Sequence, residues 1–125
     1  LCLEPLAPPD ADFMLTAAEG KAIMDRLQNP WVKLHLDVKA MSSEGRPVPG
    51  IIREFAPVMK HFHANDPNLR GPGFGKTDFV PIFQALKDVK YDGWVSVEVF
   101  DYTPDPDTIA RESLRYMREC EAKVA

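Results

Sequence analysis

Apolar and polar positions alternate in three stretches of the chain. From Trp31 to Val38, Val32, Leu34, Leu36 and Val38 fall on one side and Lys33, His35 and Asp37 on the other. From His61 to Asn65, His61 and His63 oppose Phe62 and Ala64, and from Trp94 to Val99, Val95, Val97 and Val99 oppose Trp94, Ser96 and Glu98. A period of two predicts strands, because successive side chains of an extended chain point to opposite faces. Leu1 to Leu6 reads as a short strand stub ending at Pro5, followed by a proline-rich connection over 7–12. Between the strands the period changes. Thr16 with Glu19 three residues on forms a capping box for a helix to about Gln28, which Asn29-Pro30 stops. Pro49 sits near the start of a helix through Met59, Asp78 caps a helix from about Phe79 to Val89, and Asp105-Pro106 opens a helix to about Ala122. On that last helix Ile109, Leu114 and Met117, with Val124 beyond them, form the face expected to meet the core.

Strand followed by helix, four times over, implies parallel strands with right-handed crossovers and helices outside. In a doubly wound sheet both strand faces meet helices and strands read as continuous apolar runs. These strands alternate instead, which fits a barrel with aliphatics toward the outer helices and polar groups toward the interior and its rim. A complete eight-stranded α/β barrel takes about 200 residues or more. The 125 residues of this chain therefore form a single domain, 1–125, that is half of such a barrel.

Composition narrows the classes of function. The chain is 45% apolar with a net charge of −4, which suits a globular protein and disfavours a nucleic-acid backbone as partner. No apolar run approaches the ~20 residues of a membrane helix, and no signal peptide is visible. Cys2 and Cys120, near opposite ends and without metal or redox spacing, read as two reduced thiols of a cytoplasmic protein.

The last inward-facing position of each strand holds Glu4, Asp37, His63 and Glu98. On neighbouring parallel strands these four converge at one end of the barrel. Three carboxylates crowded without a cation repel and shift one another's pKa upward, so the arrangement asks for a divalent metal. Three oxygen donors and one imidazole suit Mn²⁺ or Mg²⁺, with Co²⁺, Zn²⁺ and Fe²⁺ as further options.

The segments Leu-Glu-Pro-Leu (3–6), His-Leu-Asp-Val-Lys-Ala-Met (35–41), His-Phe-His-Ala-Asn-Asp (61–66), Gly-Pro-Gly-Phe-Gly (71–75) and Tyr-Asp-Gly-Trp-Val-Ser-Val-Glu-Val-Phe (91–100) together resemble the sugar phosphate isomerase/epimerase family. That family has the xylose-isomerase-like barrel and includes tagatose/psicose 3-epimerases and hydroxypyruvate isomerases. The resemblance covers the family's carboxyl-terminal half, strands five to eight of the TIM (β/α)8 barrel. It implies that Glu4, Asp37, His63 and Glu98 are the metal ligands, with Mn²⁺ foremost, and that Glu4 and Glu98 are the acid/base pair. The implied chemistry is two-carboxylate proton transfer on a ketose or hydroxy-carbonyl substrate through a metal-stabilised enediolate. Arg70 corresponds, with a one-residue offset, to a substrate-holding arginine. Ala40 replaces a histidine that often stands three residues after the aspartate ligand; Lys39, which has ligand-face parity, and His35, two residues deeper, are the candidates to compensate, with Lys39 the one taken as a substrate contact. Asp66 is a candidate to orient His63 or a substrate hydroxyl, or to start the turn before Pro67. His61 is expected below the site, hydrogen-bonded to neighbours, and the glycines at 71, 73 and 75 as a tight loop.

Two other readings compete. A metal-dependent phosphodiesterase resembling endonuclease IV shares the barrel but needs three zinc ions and further histidines, two of which are missing at Ala40 and in the glycine loop. A truncated, non-catalytic half acting in assembly is the second. Open strand edges and a bare inner face predict self-association, with two halves completing one barrel.

Overall fold

The computed structural model describes residues 1–124. Four strands, β1 (Cys2–Leu3), β2 (Lys33–Asp37), β3 (Met59–His63) and β4 (Val95–Ser96), pair in chain order into one parallel sheet. The helices are α1 (Ala17–Leu27), α2 (Val38–Met41), α3 (Val48–Phe55), α4 (Val80–Asp88) and α5 (Pro106–Glu121), with a 3₁₀ turn, Ala56–Val58, before β3. This is the partial parallel barrel that the alternation predicts. Leu34, Leu36 and Phe62 are 1% exposed or less and pack in one core with Ile51, Ile52 and Phe79. Each such side chain contributes about 1.5–3 kcal/mol of burial. The opposite strand face carries His35, Asp37, His61 and His63, so the aliphatic layer that fixes the register also aims these polar groups at the interior.

The helix ends follow the capping rules. Thr16 Oγ1 accepts from Glu19 N at 3.1 Å, and Glu19 Oε2 accepts from Leu15 N at 2.5 Å. Asp105 Oδ1 accepts from Thr108 N at 2.9 Å, with Pro106 opening α5. At α4 the expected cap shifts: Phe79 is the N-cap and makes no side-chain cap bond, while Asp78, one residue further out, accepts at Oδ1 from Val80 N at 3.0 Å.

Several expected boundaries move, each for a local reason. The strand expected over Trp31–Val38 is Lys33–Asp37: Trp31 is 81% exposed, and Val38 begins α2 instead of a loop. Asp37 is the cause, because its Oδ1 accepts from Lys39 N at 2.6 Å and Ala40 N at 3.4 Å and so caps a turn. Lys39 accordingly leaves from a helical turn and does not have strand parity with Asp37. The helix expected through Met59 ends at Phe55, since Pro57 supplies no N–H to continue it. Met59 opens β3, which therefore ends at His63 rather than Asn65. Only Val95 and Ser96 of the expected strand Trp94–Val99 pair along the sheet. Leu114, expected in the core, is 47% exposed, whereas Ile109 on the same helix is 2% exposed. Leu114 lines an open groove of about 410 Å³ between α5 and the residues after β4, with Val97, Val99 and Met117. No helix among the described residues is long and apolar enough to cross a membrane.

Candidate metal and catalytic centre

Each strand delivers one donor at its carboxyl end. Glu4 follows β1, Asp37 and His63 are the last residues of β2 and β3 and pair with each other in register, and Glu98 lies just past β4. The four meet around His63 Nδ1, which lies 3.4 Å from Glu4 Oε1, 3.6 Å from Asp37 Oδ2 and 3.9 Å from Glu98 Oε2. Donor atoms of Glu4, His63 and Glu98 are all within 4.8 Å of one another. His63 Nδ1 is buried and has no hydrogen-bond partner among the described residues. A buried ring nitrogen that makes no well-aligned hydrogen bond, ringed at 3.4–3.9 Å by three carboxylates from separate strands, is a donor set that fits a hard or borderline divalent cation.

Electrostatics at the centre are set by the ring of opposite charges. Burial alone would pull His63 down, but the Asp37 and Glu4 carboxylates outweigh it and hold the imidazole up at about 9. Glu4 departs from the upward shift expected of crowded carboxylates. Burial pushes it up, yet His63 and His35 outweigh burial and leave it below its ordinary value. His35 sits one layer deeper, its Nδ1 3.5 Å from Glu4 Oε2, and burial drives its pKa down to about 4. The rings of His35 and His63 meet edge to face with centroids 4.0 Å apart. His61 lies in the same lower layer, its Nε2 2.7 Å from Ser96 Oγ.

A cavity of about 460 Å³ opens over the centre, lined by Glu4, Asp37 and Glu98 and walled by Leu6, Lys39, Leu69 and Phe100. Its size is that of a small-molecule site. Lys39 reaches this cavity but is engaged by Asp10, which lines it as well. Arg70 donates from Nε to Asp101 Oδ2 at 2.8 Å and is not among the cavity-lining residues. Asp66 is 2% exposed. Its Oδ1 accepts from Asn68 N at 3.3 Å and its carbonyl from Leu69 N at 3.1 Å, which organises the turn at Pro67. The glycine loop closes against these neighbours: a Cβ on Gly75 would lie 2.1 Å from Asp66 Oδ1, and Gly73 has φ +90°.

Asn65 is a functional candidate that the motif reading passed over. It is 2% exposed, donates from Nδ2 to Asp37 Oδ2 at 2.5 Å and accepts at Oδ1 from Glu98 N at 2.7 Å. The signal was present, because position 65 continues the two-residue period of 61 and 63. It also explains the short β4: beyond Ser96 the strand is tied to its neighbour by a side-chain amide in place of a backbone carbonyl.

A parallel partial barrel with a carboxylate and imidazole centre at the strand ends defines a class, and the family model for the xylose isomerase-like TIM barrel matches residues 1–120. The chain belongs to that family. Among its relatives, the D-psicose 3-epimerase of Agrobacterium fabrum is 36% identical over 100 residues, covering 80% of this chain and 35% of that protein. The D-psicose 3-epimerase of Ruminiclostridium cellulolyticum is 33% identical over 99 residues, covering 79% and 34%. The crystal structure of a D-psicose 3-epimerase in the presence of D-fructose superposes with a TM-score of 0.86 at 30% identity, covering 97% of this chain and 49% of that one. The chain thus matches about a third of the length of these sequence relatives and half of the crystallised one. These three relatives are all D-psicose 3-epimerases.

Proposed function

We propose that this chain is the carboxyl-terminal half, strands five to eight, of a metal-dependent sugar or sugar phosphate isomerase/epimerase acting on a ketose or related hydroxy-carbonyl compound. The observation that carries this reading is the meeting of Glu4, Asp37 and Glu98 oxygens within 3.9 Å of the buried His63 Nδ1. Glu4, Asp37, His63 and Glu98 would hold one divalent ion, with Mn²⁺ preferred because the donors are mainly oxygens. When bound, the ion supplies Lewis acidity that stabilises negative charge developing on adjacent carbonyl and hydroxyl oxygens.

The chain's own residues do the rest. Glu4 and Glu98 come from the first and last strands, so they flank the space above His63 from two sides. One removes the carbon-bound proton next to the carbonyl and the other returns a proton from the opposite face, which inverts that carbon. Return to the neighbouring carbon isomerises ketose and aldose instead. Asp37, its Oδ1 occupied by capping α2, is a ligand and not a base. Lys39 stands at the cavity wall for substrate hydroxyls. Arg70, paired with Asp101, and Asp66, which organises the turn at Pro67, support the segment carrying the cavity-lining Leu69 instead of touching substrate themselves.

The open edges at β1 and β4, flanked by the exposed Leu1, Trp31 and Trp94, support pairing of the isolated chain with a second copy of itself. Exposed Cys2 and buried Cys120, both free thiols, suit a cytoplasmic enzyme.

Isothermal titration with Mn²⁺, followed by solvent-deuterium exchange on D-psicose and D-fructose, tests the reading. Stoichiometric binding with deuterium entering at C3 is expected for an epimerase, and at C1 for an isomerase. Absence of metal binding would remove the proposal. Sedimentation as a single monomer would remove the pairing.

A further inference from the structure

We propose that Asn65 is a positioning residue of the centre: its side-chain amide clamps the Asp37 and Glu98 arms together and restricts Asp37 to donating one oxygen. The proposal rests on reading Glu4, Asp37, His63 and Glu98 as ligands. Both ends of the Asn65 amide are used, Nδ2 toward Asp37 Oδ2 at 2.5 Å and Oδ1 toward Glu98 N at 2.7 Å. Only this orientation of the amide satisfies both partners, since a carboxylate oxygen can only accept and a backbone N–H can only donate.

The consequence for Asp37 follows by counting acceptor sites. Oδ1 takes the backbone N–H groups of Lys39 and Ala40 at 2.6 and 3.4 Å and is committed to the start of α2. Oδ2 takes the Asn65 donor, and its remaining lone-pair direction is left for the centre, where His63 Nδ1 lies 3.6 Å away. Asp37 is thereby a one-oxygen ligand of fixed direction. The consequence for Glu98 is different. The β4 ladder ends at Ser96, and the Glu98 side chain is 53% exposed. Without the bond from Glu98 N to Asn65, that carboxylate would ride on unpaired chain. One buried amide, placed between two strands, therefore sets the spacing of a ligand on β2 and a ligand beyond β4. Outer partners of this kind commonly carry about 10- to 100-fold in metal affinity.

Binding of Mn²⁺ by the purified chain, followed from the electron paramagnetic resonance signal of the free ion, tests this with the wild type and with Asn65→Leu. Leucine keeps the γ-branched shape and heavy-atom count and removes both hydrogen bonds, so it would rescue a packing role. The expected result is about a 10- to 100-fold loss of affinity, with a broadened bound-ion spectrum as the ligand geometry loosens. Equal affinity in the two proteins, within about twofold, would overturn the role of Asn65 while leaving the centre standing. No Mn²⁺ binding by the wild type would remove the centre and this proposal with it. A measurement on the wild type alone covers failure of the variant to fold. The Asn65 side-chain amide resonances should shift when Mg²⁺, a diamagnetic ion, saturates the site, and resonances that stay fixed at saturation would overturn the role.

Discussion

Lowering the pH should drive Mn²⁺ off the proposed centre, because the ion and a proton compete for the same imidazole. In the metal-free chain the Asp37 and Glu4 carboxylates hold His63 at about 9, so at neutral pH the ring carries a proton that a metal must displace. Below that pKa each pH unit costs about tenfold in apparent affinity, and a step from about pH 8 to about pH 6 costs about 100-fold, or ~2.7 kcal/mol. Glu4, already below its ordinary value, adds nothing to the slope in this range. Calorimetric titration in two buffers of different ionisation enthalpy measures the displaced proton directly, and about one per Mn²⁺ is expected at neutral pH. Replacing His63 by Gln should abolish the release and flatten the slope. Affinity that is level between about pH 6 and 8, with no proton released by the wild type, would show that His63 is not held as a cation by its neighbours and would refute the electrostatic argument.

The two histidines that face Glu4 should give the metal-free protein a stability maximum near pH 6.5. His63, raised to about 9, stabilises the fold fully below the unfolded value of 6.5 and loses that contribution as the pH rises through 9. His35, lowered to about 4, does the opposite: the unfolded chain takes up its proton first, so stability falls as the pH drops from 6.5 toward 4. Thermal melts across pH in the presence of a chelator check both limbs, and His63→Gln should remove the alkaline one. Glu98→Gln and Glu4→Gln should each cut proton exchange by about 10²–10⁴-fold, read as deuterium incorporation at saturating Mn²⁺. Gly71→Ala would bring its Cβ to 1.9 Å from Ser113 Oγ, costing about 1–3 kcal/mol in urea unfolding, and Ser113→Ala in the same chain should recover most of that loss.

Sequence pattern revealed the inner face and missed its rim, and the difference is physical. Leu34, Leu36 and Phe62 are buried beneath helices while His35, Asp37, His61 and His63 face inward, because a period of two admits no other sorting once one side is packed. The convergence of positions 4, 37, 63 and 98 follows from the same period taken to the strand ends. Past those ends the backbone is ruled by single hydrogen bonds that a period does not encode. Asp37 turns the chain into α2 through its carboxylate, which withdraws Lys39 from the strand face. Asn65 ends the β4 ladder early by substituting its amide for a carbonyl. Arg70 is committed to Asp101, a partner that only folding brings near. Leu114 has the spacing of a core residue, yet stays exposed because the groove it lines is open.

The dual duty of Asp37 joins two events that are separate in most pockets. Its carboxylate both ends a strand facing His63 and initiates the short helical turn carrying Lys39 and Ala40, so any step that neutralises or displaces it also slackens the cavity wall proposed to meet a sugar. Amide hydrogen exchange at 39 and 40 should therefore report on the state of the proposed centre, and the cavity wall would firm up when the proposed ion binds.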